Sequence, residues 1–235
     1  MPVVVGRDGC RAGWVLATMP ARGALARGDG PDVRVVPSLD EVVAALESGR
    51  LAAAAIDIPI GLPADGPREC DLEARRLLGP RRSSVFPAPV RAALGAGTYA
   101  EACGVSREIS GKGLSRQLYN ILGKIREVDA LQSPSLQERL FEACPELSFA
   151  LMSRGVPMRR NKRTVEGRTE RVAALRASGF GDAASIVDAP PAGAARDDVL
   201  DALALAWTAR RSVAGSVRRL GGERDESGLR MEVIA

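Results

Sequence analysis

Apolar residues at 3–5 and 14–18 form two short runs on either side of Asp8-Gly9-Cys10-Arg11, the pattern of two strands joined by a polar link, and a third run stands at 33–36. Ser38-Leu39-Asp40-Glu41 then has the S-x-x-E form of a capping box, and the VVAALES run behind it closes at Gly49, which predicts a helix. The continuous apolar run at 52–58, ended by Pro59 and Gly61-Leu62-Pro63, suits a strand buried on both faces, although its alanines are poor strand formers.

From 61 to 135 the character changes. Residues 68–78 read as a helix stopped by Gly79-Pro80, 83–90 as loop, and 114–131 as a long amphipathic helix, so this block is expected to be a mainly helical insertion. A strand resumes at 140–143. A basic loop precedes a helix at 169–178, and 196–213, rich in Ala and Leu, is a strong helix. A turn at 225–228 and a strand at 229–234 close the chain. This order predicts an α/β fold, a mixed sheet flanked by helices, as a single domain over 1–235.

Composition removes several chemistries. The 235 residues contain no histidine, so neither a Ser-His-Asp nor a Cys-His hydrolase can be assembled, and histidine zinc sites are excluded. The four cysteines (Cys10, Cys70, Cys103, Cys144) form no C-x-x-C pair. General-base work falls to carboxylates, Lys, Tyr, Cys or metal-bound water. Only three of the 33 basic residues are lysine, a bias that a GC-rich genome produces, so the pI near 9.2 permits a nucleic-acid partner without indicating one. No secretory signal and no membrane span are expected, and the expected compartment is the cytoplasm.

Four aspartates stand out. Asp8 precedes a glycine, where it either satisfies a nearby amide in a turn or sits at a strand exit, the usual place for an α/β site. Asp57 lies inside AAAAIDIPIG, where an unpaired carboxylate costs several kcal/mol, so it is hydrogen-bonded, paired with a cation or bound to a metal. Asp198 and Asp201 are three apart in RDDVLDALALAW, hence on one helical face. Acids in a first turn also suit the helix dipole, which explains Asp201 less well because it stands among core-forming residues. Glu142 and Glu146 flank the resumed strand; Glu142 either points into the site, as an outer ligand or a water-positioning base, or lies in solvent. Lys162, Arg163, Arg168 and Arg171 form either a phosphate grip or a solvated basic loop.

VGRDGCRAGWVLA and RDDVLDALALAWTA resemble the first strand and last helix of crossover-junction resolvases in the RNase H-like superfamily. The chain as a whole resembles domain-of-unknown-function family 429, described as predicted RNase H-fold nucleases. The segments that carry this are GRDGCRAGW, AIDIPIGLP, RECDLEARRLLGPRRSSVF, LSRQLYNILGKIREVD, FEACPELSF, KRTVEGRTERVAAL and DDVLDALALAW, in order along nearly the whole sequence. The family usually shows Glu-x-His-Pro-Glu where this chain has Glu142-Ala143-Cys144-Pro145-Glu146, so its histidine has no counterpart here.

The resemblance implies an RNase H-like five-stranded mixed sheet. It makes Asp8, Asp57, Asp198 and Asp201 ligands of two Mg²⁺ or Mn²⁺ ions, which activate water and stabilise the leaving oxygen. The expected activity is metal-dependent hydrolysis of phosphodiester bonds, with DNA or RNA as partner. Phosphoryl transfer from ATP needs two such lobes, whereas 235 residues barely hold one lobe with an insertion. A non-catalytic nucleic-acid or protein-binding module is the alternative. Gly95-Ala96-Gly97-Thr98-Tyr99-Ala100 matches a dinucleotide fingerprint but follows no strand, and Gly111-Lys112-Gly113 lacks the rest of a P-loop.

Overall fold

The computed structural model describes residues 2–23 and 30–235. Strands β1 (Val3–Cys10), β2 (Gly13–Pro20), β3 (Asp32–Val36), β4 (Leu51–Ile56) and β5 (Leu140–Glu142) form one sheet in the order β3-β2-β1-β4-β5. The first three strands run antiparallel as a meander, while β4 and β5 run parallel to β1. This is a five-stranded mixed sheet flanked by helices, consistent with the RNase H-like arrangement.

Period-two alternation along β1 assigns its two faces. Val5 packs with Trp14, Leu16 and Ile56 under α1 (Asp40–Glu47) and the helices between β4 and β5. Of these, α3 (Tyr99–Ser110) and α4 (Arg116–Leu131) pack on this face, while α2 (Glu69–Leu78) buries its side chains in a separate core. Val4 and Cys10 face the other way, with Val15 and Ala17, beneath α6 (Val165–Ala177), α7 (Ala183–Asp188) and α8 (Arg196–Val213). The hairpin of β6 (Arg219–Arg224) and β7 (Arg230–Ile234) packs with α2 and α5 (Pro145–Met152) around a third, smaller core. No helix among the described residues is long and apolar enough to cross a membrane.

One contact sets the depth of the sandwich. A Cβ on Gly6 would overlap the backbone of Ala202 and Ala206, so α8 lies directly on β1 with no side chain between them. Only glycine allows that approach.

Several local expectations are corrected. Residues 8–10 do not form a turn: β1 continues through them, Asp8 pairs with Val15, and the reversal is at Arg11-Ala12. The capping box at Ser38 is not made. Ser38 Oγ donates to Asp40 (2.9 Å), Glu41 accepts from Arg34 (2.6 Å), and the free Leu39 N–H at the start of α1 donates instead to Glu127 of α4 (3.0 Å). A capping box is made at Thr98/Glu101, opening α3, a helix not expected at this position.

Gly6→Ala is expected to lower the melting temperature by roughly 6–12 °C, the equivalent of about 3 kcal/mol of overpacking in a chain of this size. Gly104→Ala in α3, where a Cβ meets nothing within 4 Å, serves as the control and is expected to be neutral or stabilising. Equal melting temperatures for the two variants would contradict the close approach.

Candidate functional site

The approach at Gly6 governs where the acids fall. Asp8 is two residues further along β1 on the same face, and Asp201 stands beside Ala202 on α8, so the contact brings the two carboxylates together. Asp57 follows β4 directly and extends its parallel ladder, its N–H donating to Arg7 O (3.3 Å). One oxygen from each of Asp8, Asp57 and Asp201 lies within 4.8 Å of the others. They sit in a cleft of about 500 Å³ that is also lined by the loop 161–163, by Arg81 and 83–86, and by Gln117, Ile121 and Lys124 of α4.

Asp201 is buried, Asp8 half-buried, and Asp57 is exposed to the cleft, although protein atoms surround it at longer range. Burial, then mutual repulsion, pushes their pKa values up. Asp8 is raised well above the usual carboxylate range by burial and next by Asp201. Asp57 is pushed up to about 7 by burial, with Asp201 the next cause. Asp201 is raised by burial despite the opposing Lys162. Lys162 contacts Asp201 through its ammonium; burial works against its charge, but Asp201 and Asp8 hold its pKa above the ordinary lysine value. Its loop is fixed by Gly167, where a Cβ would overlap the carbonyl of Asn161, and by Thr164, which caps α6 by accepting from Gly167 N–H (3.0 Å).

The other residues singled out in the sequence take different places. Asp198 lines the cleft but lies outside the group of three; it accepts the Ala195 N–H (2.8 Å) at the start of α8. Glu142 is gripped by Arg68, whose Nη1 and Nη2 each donate to it at 2.7 Å, and it also accepts from Ile60 N–H (2.8 Å). Arg68 continues to Asp71 (2.6 Å), so Glu142 ties β5 to α2 in a buried network. Arg171 is fully buried: it donates to Glu146 (2.6 Å) and to the carbonyls of Arg160 (3.0 Å) and Gly167 (2.9 Å). Arg163 is exposed, 3.8 Å from Asp197, and Arg168 donates to Arg163 O (3.1 Å).

Glu146 carries more than its place in the sequence indicated. Buried at the cleft wall, it takes Arg171 and Arg81 (3.4 Å) on Oε1 and leaves Oε2 without a partner among the described residues. The available signal was Pro145 at the first position of α5, which places the next residue in a helical first turn.

An α/β chain with this strand order has an arrangement consistent with an RNase H-like fold, and three aspartates converge in an acidic cleft at one end of its sheet. The chain belongs to the family described as "Protein of unknown function (DUF429)", whose model matches residues 6–226. No curated protein and no solved structure matches it.

With its pKa raised from 3.8 to about 7, Asp57 favours the folded state only while protonated. Between these values the folded chain holds the proton more tightly than the unfolded one, so stability falls as pH rises through the window. In metal-free buffer Asp57→Asn is therefore expected to melt a few degrees above the wild type at pH 8 and level with it near pH 4. A difference that is constant across this range would count against the raised pKa.

Proposed function

We propose that the chain is a metal-dependent nuclease, a hydrolase that cuts phosphodiester bonds at the cleft of Asp8, Asp57 and Asp201. The observation that carries the reading is the meeting of three carboxylates from three separate elements within 4.8 Å. Like charges crowded in this way raise one another's pKa and destabilise the fold unless a cation gathers them. Lys162 supplies one positive charge, so with all three carboxylates ionised the group stays net negative.

The donors are all oxygens, and Cys144, the thiol that lines the cleft, is kept protonated mainly by burial. That set fits Mg²⁺ or Mn²⁺ better than zinc or copper. A divalent cation at such a site acidifies water and stabilises charge on the phosphate and leaving oxygens. Asp8, Asp57 and Asp201 would hold the ion. The lysine ammonium would offer a fixed charge to a phosphate oxygen, and Arg171 would keep Glu146 in place from behind. A second ion would draw further ligands from Glu146 and Asp198, which border the same cleft.

One observation favours a second reading. Lys162 already neutralises Asp201, and acids paired in this way can belong to a non-catalytic nucleic-acid or protein-binding module. Metal binding separates the two. Mn²⁺ is expected to raise the melting temperature of the wild type but not of Asp8→Asn. Mn²⁺- or Mg²⁺-dependent cleavage is expected to fall by about 100-fold or more in Asp57→Asn. A wild type that Mn²⁺ does not stabilise, and that cuts no single-stranded, duplex or branched substrate, would make the binding module the better reading.

A further inference from the structure

We infer that the segment between β4 and β5 narrows the cleft to a slot for one nucleotide, so the substrate is a small phosphodiester carrying a single base. The inference rests on the nuclease reading above and specifies its substrate.

Three observations converge. First, six large apolar side chains are exposed among the described residues, and of these Phe86 (37%) is the one that lines the same cleft as the three aspartates, where Ile121 of α4 also lies. An open aromatic ring is a face on which a planar base stacks, whatever its identity. Gln117, exposed at the cleft, adds an amide that can both donate to and accept from a base edge.

Second, among the described residues the cleft carries no continuous positive track. Its acids outnumber its cations, and three of its four cations are engaged: Lys162 with Asp201, Arg81 with Glu146 (3.4 Å), and Lys124 with the Gly13 carbonyl (2.6 Å); the fourth, Arg163, is exposed and lies 3.8 Å from Asp197. Binding along a long nucleic acid depends on several Lys or Arg side chains neutralising successive phosphates. A substrate with one reacting phosphate needs none of them beyond the site itself.

Third, the cleft volume of about 500 Å³ falls within the range of small-molecule pockets. The wall is held rigidly, since the Arg68–Glu142 and Arg81–Glu146 pairs fasten α2 and the turn after it to β5 and α5.

The test compares thymidine 5′-(p-nitrophenyl phosphate) with covalently closed circles of single-stranded and duplex DNA, all with Mn²⁺. Hydrolysis of the ester joins the water oxygen to phosphorus, breaks the bond to the aryl oxygen and releases p-nitrophenolate and thymidine 5′-monophosphate, with the protons passing to solvent. The wild type is expected to hydrolyse the ester and leave both circles intact. Phe86→Ala, a change at an exposed side chain, is expected to raise KM about tenfold while kcat stays within about twofold. Calorimetric affinity for thymidine 5′-monophosphate is expected to weaken by a similar factor. Circles cut as readily as the ester, or a Phe86→Ala variant with unchanged KM and mononucleotide affinity, would overturn the slot and leave the nuclease reading standing. An ester and circles that all stay inert would overturn the nuclease reading, and the slot with it.

Discussion

The backbone of α8 rests on the backbone of β1 at Gly6, and the geometry of the acidic cleft follows from that contact. With any side chain at this position the helix would have to stand off from the strand. Asp201 would then move away from Asp8, and the parallel ladder that carries Asp57 alongside Arg7 would no longer bring three carboxylates into one group. The contact also explains the alanine content of α8. Ala202, Ala204, Ala206 and Ala209 are all fully buried, small enough to let the helix sink into the sheet, while Val199, Leu200, Leu203 and Leu205 fill the remaining core. The same residues that shape the core therefore place the acids.

Charge is distributed in two layers around this frame. The inner layer is the three aspartates with Lys162, in which burial and repulsion oppose ionisation and a single ammonium offsets part of the negative charge. The outer layer consists of buried ion pairs, Arg68 with Glu142 and Asp71, and Arg171 with Glu146. Buried pairs of this kind add little net stability compared with well-packed apolar groups, but breaking one leaves a buried charge uncompensated. Their effect is to hold the cleft walls in one arrangement. Arg7 adds a contrast on the opposite face of β1: it is buried beside the Trp14 ring at 5.1 Å, and burial pushes its pKa down to about 9.

Much of this was legible in the sequence. The bounds of α8 could be read directly from its Ala and Leu content, and Asp57 was conspicuous because a carboxylate within an apolar run needs a partner. Short or fully buried elements were harder to read. All but the last two residues of α5 are buried, so it has no amphipathic period, and the helix that opens at Pro145 was not read behind the strand at 140–143. Roles set by distant partners could not be read at all. Glu142 pairs with an arginine 74 positions away, and Lys162 meets an acid 39 positions away. Asp198 and Asp201 share a helical face, yet one caps its own helix and the other joins the cluster, a distinction that depends on where β1 lies and not on the spacing between them.

The central claim is that Asp8, Asp57 and Asp201 gather around a divalent cation, and anomalous scattering from crystals soaked in Mn²⁺ tests it most directly. The account predicts at least one manganese peak in contact with oxygens of all three carboxylates, with the Lys162 ammonium displaced from Asp201. Crystals saturated with Mn²⁺ that show no peak at the cleft, with Lys162 still seated on Asp201, would contradict it.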